Sequence, residues 1–255
     1  MSDHYRRRAA LNDILAAVGD DLSPDGLAPL DQFHSGGIQA TRDLAALAKI
    51  GPGEALLDVG SGAGGPARLL AREREAKVSA IDLTPGYVEL AKALGEKSGS
   101  AVEFRQANAL DLPFPDASFD VVWTQHAAMN IADKKGLYRS LHRVLKPGGR
   151  LAMHDIMAGP KAGPLHLPVP WADVAGESFL VAPEALRELL AKLGFEELAW
   201  QDRTAVTIAA FEVTPARKPL THLLLGAGFP VMIANTRKNF TEGRIVAGMG
   251  VFRKA

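Results

Sequence analysis

A glycine cluster directly after a short apolar run is the part of this sequence best suited to bind a ligand through its main chain. Gly60, Gly62 and Gly65 follow the run that contains Asp58, and glycine lets a backbone approach a ligand without a Cβ in the way. Asp82 ends the next β-rich run, where a carboxylate can accept hydrogen bonds from both hydroxyls of a ribose. We therefore predict a nucleoside-cofactor site in which Asp82 binds the sugar and Asp58 orders the loop.

The glycine spacing by itself leaves the cofactor undecided. Gly60, Gly62 and Gly65 satisfy the G-x-G-x-x-G pattern of dinucleotide sites, and they satisfy a methyl-donor loop equally well. The rest of the chain has to decide between these two cofactors.

Alternating strands and helices place this loop at one edge of a predicted parallel sheet. From residue 55 onward, β-rich runs alternate with helical periodicity, which is the order of an α/β fold. Ligands of such sheets bind at the carboxyl ends of the strands, so the loops after residues 59, 82, 107 and 124 should converge. The predicted strands are 55–59, 77–82, 101–107, 119–124, 149–155, 195–201 and 245–253, and the predicted helices between them are 66–75, 85–97, 134–145 and 183–193.

Two segments lie outside this alternation and are predicted to cover the ligand edge of the sheet. The first contains two predicted helices, near 7–18 and 38–49, which are joined by turn-rich sequence. The second is mostly helical and precedes the last strand. The predicted parts are an N-terminal helical lid of residues 1–50, an α/β core of residues 51–201 and 245–255, and a helical insert of residues 202–244.

Three blocks downstream of the glycine loop indicate which family the core resembles. They are Gln106–Phe114, Ser118–Trp123 and Leu145–Arg150. Together with the glycine loop they resemble the class I S-adenosylmethionine-dependent methyltransferases over about residues 53–157, and no dehydrogenase signature places the three blocks at these positions. Beyond the core, Phe33–Gly37 and the end of the fourth strand are similar to small-molecule enzymes of the sarcosine/dimethylglycine and quinone methyltransferase type.

This resemblance implies a Rossmann-like sheet that is mostly parallel with an antiparallel last strand. It also implies S-adenosylmethionine as the cofactor and S-adenosylhomocysteine as the product. At Asn108 the family more often has Asp, but an amide oxygen can accept from the adenine amino group while its NH₂ donates to a ring nitrogen. By matching positions, the resemblance assigns Gly60, Ser61 and Gly62 to the methionine portion, Asp82 to the ribose, Leu83 to the adenine face, Asn108 and Ala109 to the adenine edge, and Gln125 to the methionine amino group.

Histidines stand where an acid–base group could reach a ligand. His126 follows the fourth strand and His154 lies near the end of the fifth, and an unperturbed pKa near 6.5 suits a general base at neutral pH. Because side chains alternate along a strand, only one of His154 and Asp155 can face the site. We predict His126 and His154 as catalytic and His34, in a glycine-flanked turn, as a substrate contact; purely structural roles are the alternatives.

An apolar pocket is expected around the transferred methyl, because the donor must react in line and away from water. Met129 and Trp171 are the predicted pocket residues, with a role in the hydrophobic core as the alternative. No grouping of His, Asp and Glu has the spacing of metal ligands, so no metal is expected.

Composition limits the partners of the protein. The chain has 255 residues, of which 47% are hydrophobic, and 29 basic residues balance 29 acidic ones. Without a positive field we expect no nucleic-acid or membrane partner, although a homodimer is possible. The absence of cysteine is compatible with the reducing cytoplasm.

The predicted function is therefore transfer of a methyl group from S-adenosylmethionine to nitrogen, oxygen or carbon of a small metabolite, for example an amine or a phenol- or quinone-like acceptor. A protein that binds the cofactor without transferring the methyl group is one alternative. A nicotinamide-dependent oxidoreductase is another, which the blocks at Pro113 and Pro147–Gly149 disfavour.

Overall fold

The computed structural model describes residues 9–161, 163–213 and 219–255. Their centre is a seven-stranded sheet with the order β3-β2-β1-β4-β5-β7-β6. β7 runs antiparallel to both of its neighbours, whereas the pairs among β1 to β5 are parallel. The strands are β1 Ala55–Val59, β2 Lys77–Asp82, β3 Glu103–Gln106, β4 Phe119–Gln125, β5 Leu145–Ala158, β6 Phe195–Asp202 and β7 Ile245–Lys254.

Helices cover both faces of the sheet and its ligand edge. Ten α-helices are found in the described part of the chain, with short 3-10 turns at 128–130 and 175–177. They are α1 Leu11–Ala17, α2 Pro24–Asp31, α3 Gly37–Leu47, α4 Gly65–Glu73, α5 Pro85–Ser98, α6 Lys134–Val144, α7 Pro183–Lys192, α8 Thr204–Ala210, α9 His222–Leu225 and α10 Phe229–Thr241.

Side-chain alternation along the strands builds an apolar core on each face. In β1, Leu56 belongs to one apolar cluster with Leu44 of α3 and Leu70 of α4, and Leu57 belongs to another with Leu141 of α6 and Leu190 of α7. All of these side chains are fully buried. Successive strand residues point to opposite faces, so one five-residue strand anchors helices on both sides.

The N-terminal helices and the insert before β7 pack against each other. Ile14 and Leu27 share an apolar cluster with Leu224 and Met232. Backbone hydrogen bonds also join them, from the Leu220 N–H to the Pro29 carbonyl (2.8 Å) and from the Ala9 N–H to the Leu223 carbonyl (2.7 Å). The two segments that flank the core in the sequence are therefore in contact in the fold.

The predicted α/β class, with its antiparallel last strand, is confirmed, and each predicted strand and core helix is present within a few residues. Helix α2 is the exception, because it begins within the stretch 20–26 and ends at the stretch 31–37, both of which the sequence predicts as turns. Ser23 explains the difference, since its Oγ accepts the Gly26 N–H at 3.1 Å and caps this helix, with Pro24 at its first turn. The first predicted helix is shorter than expected, Leu11–Ala17, and residues 7–8 of that prediction lie outside the described residues.

Within the described ranges, no helix is both long and apolar enough to cross a membrane.

Candidate active site

The glycine loop is tied to both neighbouring strand ends. Gly60 and Gly62 adopt left-handed φ angles of 80° and 52°, which favour glycine. The N–H groups of Gly60 and Ser61 both donate to the Ile81 carbonyl at 2.9 Å. A Cβ on Gly60 would lie 2.4 Å from the Cβ of Ala127, in the turn after β4. The loop thus fits closely between the ends of β2 and β4.

Asp82 holds this loop from the carboxyl end of β2. Its Oδ2 accepts the Gly62 N–H at 2.9 Å and its Oδ1 accepts the Thr84 N–H at 2.8 Å. A carboxylate oxygen can accept more than one hydrogen bond, so both oxygens retain capacity for a ligand. In this position Asp82 can order the glycine loop and bind hydroxyl groups at the same time.

Asp58 lies beneath the loop as a second, more deeply buried carboxyl group. Burial and the neighbouring Asp82 raise its pKa to about 8, and its Oδ2 has no hydrogen-bond partner. Burial raises the pKa of Asp82 as well, but two backbone N–H groups favour its charged form. At neutral pH we therefore assign the proton to Asp58 and the negative charge to Asp82.

A cavity of about 600 Å³ opens at this edge of the sheet, a size that suits a small-molecule ligand. Leu83 is 49% exposed there and offers an uncovered apolar surface. Asn108 accepts the Leu110 N–H through its Oδ1 at 3.0 Å. The loops after β1, β2, β3 and β4 thus meet around one cavity, whose lining includes the predicted residues Gly60, Gly62, Asp82, Leu83, Asn108, Ala109, His126 and Trp171.

Three imidazole rings cluster beside the cavity. The ring centroids of His126 and His154 are 4.9 Å apart, and that of His34 lies 5.9 Å and 6.3 Å from them. Burial lowers the pKa of His34 and His154 to about 3 and that of His126 well below its usual value, and neighbouring imidazoles lower the pKa of His34 and His126 further. All three rings are therefore neutral at pH 7, and the unperturbed pKa near 6.5 expected for a general base does not hold at His126 or His154.

Hydrogen bonds connect these rings to other buried polar groups. Ser35 Oγ lies 2.9 Å from Nε2 of His126 and 3.4 Å from Nε2 of His154. Gln125 Nε2 lies 3.3 Å from Nδ1 of His154, and Gln125 Oε1 lies 3.2 Å from Thr41 Oγ1. These contacts join the turn before α3 to the ends of β4 and β5.

Thr41 connects His34 to this group of side chains. Nε2 of His34 lies 2.9 Å from Thr41 Oγ1, and Oε1 of Gln32 lies 2.8 Å from the same oxygen. The single hydroxyl hydrogen of Thr41 is donated either to Gln32 or to Gln125. Nδ1 of His34 and Nε2 of Gln32 are buried and have no protein partner. Buried polar atoms are nearly always hydrogen-bonded, so these two atoms are exceptions, and neither Gln32 nor His34 lines the cavity.

The turn after β4 is braced from below by charged groups. Lys134 Nζ donates to the carbonyls of Ala128 (2.7 Å) and Ile131 (2.5 Å). Asp155 lies on the face of β5 opposite His154; burial raises its pKa to about 7, against the effect of Lys134. As expected from strand alternation, only His154 of this pair faces the histidine cluster.

The outer wall of the cavity comes from the segment after β5. Asn130 Nδ2 donates to the Trp171 carbonyl at 2.7 Å, and the Phe179 N–H donates to the Met129 carbonyl at 2.9 Å. Trp171 and Phe179 line the cavity. The Met129 side chain instead lies in an apolar cluster with Ile156, so this predicted pocket residue does not reach the ligand space.

The structure separates the remaining predicted residues by depth. Five of them do not line the cavity and lie behind it, next to the cavity lining or in and around the histidine cluster. They are Asp58, Ser61, Gln125, His34 and His154. Sequence reasoning missed residues that line the cavity or join the histidines. Two stretches, 33–41 and 169–180, showed similarity to small-molecule enzymes and contain Phe33, Ser35, Thr41, Glu177 and Phe179, whereas Asn130 carried no signal. The residues not assigned to the site are Phe33, Ser35, Thr41, Asn130, Glu177 and Phe179.

A larger groove of about 740 Å³ lies elsewhere, between α2, α4 and the outer edge of the sheet. Its lining includes the buried Arg68–Asp31 ion pair, with a distance of 2.6 Å. It contains Gly65 from the end of the glycine cluster, but none of the other residues predicted to bind the cofactor or substrate. We assign function to the smaller cavity, because ligands of parallel sheets bind at the carboxyl ends of the strands. In the described residues no group of three His, Asp or Glu side chains could hold a metal ion.

The sequence is similar to methyltransferases. The family described as "Methyltransferase domain" matches residues 57–153. The 27-O-demethylrifamycin SV methyltransferase of Amycolatopsis mediterranei is 31% identical over 207 residues, or 77% of this chain and 76% of the relative. The sarcosine/dimethylglycine N-methyltransferase of Halorhodospira halochloris is 32% identical over 158 residues, or 61% of this chain and 56% of the relative.

Solved structures show the same fold. Phosphoethanolamine N-methyltransferase 2 of Haemonchus contortus, in complex with phosphomonomethylethanolamine and S-adenosylhomocysteine, has a TM-score of 0.71 at 19% identity, with 96% of this chain and 61% of that one covered. The chain spans about a third of the length of the plant phosphoethanolamine N-methyltransferases that it also matches, at 33% and 34% of those proteins.

Proposed function

This chain belongs to the class I S-adenosylmethionine-dependent methyltransferases, and we propose that it transfers a methyl group from S-adenosylmethionine to nitrogen, oxygen or carbon of a small metabolite. One observation carries the proposal. The cavity of about 600 Å³ brings the glycine loop, Asp82 and His126 together at the carboxyl ends of parallel strands.

The residues of the cavity fit a nucleoside cofactor. The glycine loop presents main chain without side chains, the uncovered surface of Leu83 suits the face of an adenine, and Asp82 has lone pairs left for ribose hydroxyls. Asn108 Oδ1 already accepts the Leu110 N–H, which leaves its NH₂ group free to donate to the base. The bound cofactor supplies an electrophilic methyl group on a sulfonium sulfur.

The chain contributes mainly by positioning the acceptor and excluding water. Trp171 and Phe179 close the outer wall, and Phe33 packs over the glycine loop, 3.0 Å from where a Cβ of Gly62 would lie. Holding two reactants in line can be equivalent to effective molarities of about 10⁵ M or more. A proton acceptor is needed only for a nucleophile that must lose a proton, and we propose His126 for this role, with His154 supporting it.

Charge in the cavity favours a particular class of acceptor. Among the described residues, its lining contains the carboxylates Asp82, Asp133 and Glu177 but no Lys or Arg. A phosphate or carboxylate on the acceptor would be repelled there, because charges of the same sign disfavour binding. We therefore propose an uncharged or cationic acceptor, unlike the phosphorylated ligand named for the Haemonchus contortus protein.

We further propose that the N-terminal helices and the insert before β7 act together as the cover of the site. Their contact through Leu220 and Pro29 supports this, as does the position of Phe33. With a formal charge of zero, we expect no nucleic-acid or membrane partner and action in the cytoplasm, and we leave a homodimer as the possible assembly.

Two measurements test the proposed function. Calorimetric titration should give binding of S-adenosylmethionine and S-adenosylhomocysteine but not of NAD; the reverse result would revive an oxidoreductase. Incubation with methyl-labelled cofactor and a metabolite pool, with charged and uncharged versions of each acceptor, should label uncharged or cationic members. Tight binding without transfer across a broad pool would instead indicate a protein that only binds the cofactor, and preferential labelling of phosphorylated members would contradict the acceptor class.

A double variant tests the histidines. We expect His126→Ala combined with His154→Ala to lose turnover of an acceptor that must release a proton, while the affinity for S-adenosylhomocysteine stays the same. The exposed His222 provides the matched control, as His222→Ala should change neither quantity. Unchanged turnover in the double variant would rule out both catalytic assignments.

A further inference from the structure

Ser35 occupies a position that no motif assigned to chemistry. It stands 91 residues before His126 and 119 before His154 in the sequence, yet its Oγ lies 2.9 Å and 3.4 Å from their Nε2 atoms. A hydroxyl group has one hydrogen to donate and can accept others. Between two ring nitrogens, Ser35 therefore donates to one and accepts from the other.

The direction of these hydrogen bonds follows from Gln125. Its side-chain nitrogen, which can only donate, lies 3.3 Å from Nδ1 of His154, and its oxygen lies on the other side, 3.2 Å from Thr41 Oγ1. Nδ1 of His154 is thus an acceptor, and because burial keeps this ring neutral, the ring hydrogen is on Nε2. His154 then donates to Ser35, so the hydroxyl hydrogen of Ser35 is left for His126.

His126 is the end of this chain of hydrogen bonds. Its Nε2 accepts from Ser35, and the ring is neutral because it is buried beside two other imidazoles. Its own hydrogen is therefore on Nδ1. Nε2 is occupied by Ser35, so Nδ1 is the nitrogen that His126 can offer to a ligand in the cavity it lines.

We propose that Ser35 is a positioning residue that fixes the tautomer of His126, so that its Nδ1 carries the hydrogen and is presented to the methyl acceptor. The role at the acceptor rests on the proposed function, whereas the tautomer itself can be measured without any methyl transfer. In the resting state His126 is thus a hydrogen-bond donor to the acceptor atom.

The same chain can run in the opposite direction. If the Gln125 amide turns over, its oxygen accepts from Nδ1–H of His154, Ser35 donates to His154, and Nε2–H of His126 donates to Ser35. Nδ1 of His126 then has a free lone pair. As the bond from the acceptor atom to the methyl forms and the sulfur–methyl bond breaks, its electron pair stays on sulfur and the acceptor proton moves to Nδ1, from which it is lost to water. The orientation of the Gln125 amide, relayed by the Ser35 hydroxyl, thus decides whether His126 is a donor or a base.

Ring nitrogen shifts measured by ¹⁵N NMR at neutral pH, with S-adenosylhomocysteine bound, test the proposal. Wild-type His126 should show one tautomer, with a protonated Nδ1 and a pyridine-type Nε2. Ser35→Ala should convert this into a mixture of both tautomers, and Ser35→Thr, which keeps the hydroxyl group, should restore the wild-type shifts. Ser118→Ala is the matched control, because the Ser118 hydroxyl donates to the Pro115 carbonyl away from the site and its loss should leave the His126 shifts unchanged.

Each result is decisive for the tautomer. A protonated Nε2 in the wild-type ring would overturn the assignment even if the alanine variant did not fold. Identical His126 shifts in the wild type and in a folded Ser35→Ala protein would show that Ser35 does not set the tautomer. Failure of methyl transfer in all proteins, with the predicted shifts intact, would count against the proposed function and leave the assignment of Ser35 supported.

Discussion

Asp82 is predicted to bind the ribose and also orders the glycine loop, and the second role uses both oxygens of its carboxylate. One oxygen accepts the Gly62 N–H and the other accepts the Thr84 N–H, so the group that is to bind the ribose also shapes the loop beside it. Sequence reasoning assigned the first task from position alone. The second depends on distances that no spacing in the sequence contains.

Replacing Asp82 by Asn should weaken cofactor binding. The amide can accept through one oxygen only, so the N–H of Gly62 or Thr84 loses its partner, and a hydrogen bond to a charged group contributes about 1.5–3 kcal/mol. We expect the Kd for S-adenosylhomocysteine to rise about 10- to 100-fold by calorimetry. Asp116, which is exposed and paired with Arg143, gives the control variant Asp116→Asn; equal affinities for the two variants would contradict the assigned role.

Replacing Gly60 tests how closely the glycine loop packs against Ala127, separately from the strain of a left-handed φ angle. Gly60 and Gly53 have similar φ angles of 80° and 76°, but a Cβ on Gly53 would meet nothing within 4 Å, whereas one on Gly60 would lie 2.4 Å from Ala127. Both alanine variants carry backbone strain of about 1–3 kcal/mol. Gly60→Ala should lose at least about 1 kcal/mol more in urea unfolding because of the clash, and equal losses would show that the loop can move aside.

At the scale of elements, the turn after β4 depends on a buried cation from the first turn of α6. Lys134 donates to two carbonyls of that turn, and burial lowers its pKa to about 8, against the effect of Asp155. This support lies directly beneath the segment that contains Asn130 and Ile131, both of which line the cavity. The position of the cavity wall is therefore coupled to the start of a helix on the other side of the turn.

Lys134→Met should loosen this turn. The variant keeps much of the apolar stem but leaves two carbonyls and Asp155 without their cation, and removing one partner of a buried polar contact costs about 1–3 kcal/mol. We expect a lower free energy of unfolding together with weaker binding of S-adenosylhomocysteine. Lys135→Met changes the exposed neighbour on the same helix and should alter neither the free energy of unfolding nor cofactor binding. If the Lys134→Met and Lys135→Met proteins behaved alike, the coupling between Lys134 and the cavity wall would be contradicted.

Elements with strong periodicity could be predicted from the sequence, and contacts between distant segments could not. β1, β2 and β4 are apolar runs with clear ends, whereas α2 was missed because Pro24, Gly26 and Pro29 made it resemble a turn. The cavity lining after β1 to β4 followed from the rule for parallel sheets. The contact between Ser35 and His126 could not be predicted, because it depends on the path of the N-terminal segment in the folded chain.

At the scale of the whole molecule, buried titratable groups make stability depend on pH in two directions. Asp58 and Asp155 have pKa values raised to about 8 and 7 by burial. The native state therefore keeps protons that the unfolded chain releases above about pH 4, and this stabilisation is lost as the pH rises toward 8. His34 and His154 stay neutral in the native state down to about pH 3, so stability is lost as the pH falls below about 6.5, where the unfolded chain binds protons.

We expect the free energy of unfolding to be highest between about pH 4 and 6.5 and to fall on both sides. Asp58→Asn should flatten the alkaline side, because an amide resembles the protonated carboxyl group and has no proton to lose. Urea titrations at pH 5.5 and 8.5 should show a smaller loss for Asp58→Asn than for the wild type, by about 1–3 kcal/mol. Equal losses in both proteins would mean that Asp58 is ionised in the folded state at pH 5.5.

The place of β7 has a consequence for synthesis on the ribosome. β6 pairs only with β7 at the edge of the sheet, and β7 lies between β5 and β6. Strands β1 to β5 can therefore pair as they emerge, while β6 must wait without a partner until the stretch from Asp202 to Ile245 has been translated. At about 5–20 residues per second this delay lasts a few seconds. During it, an exposed β5 edge is open to pairing with other chains, so translation speed through the insert should influence the yield of correctly folded enzyme.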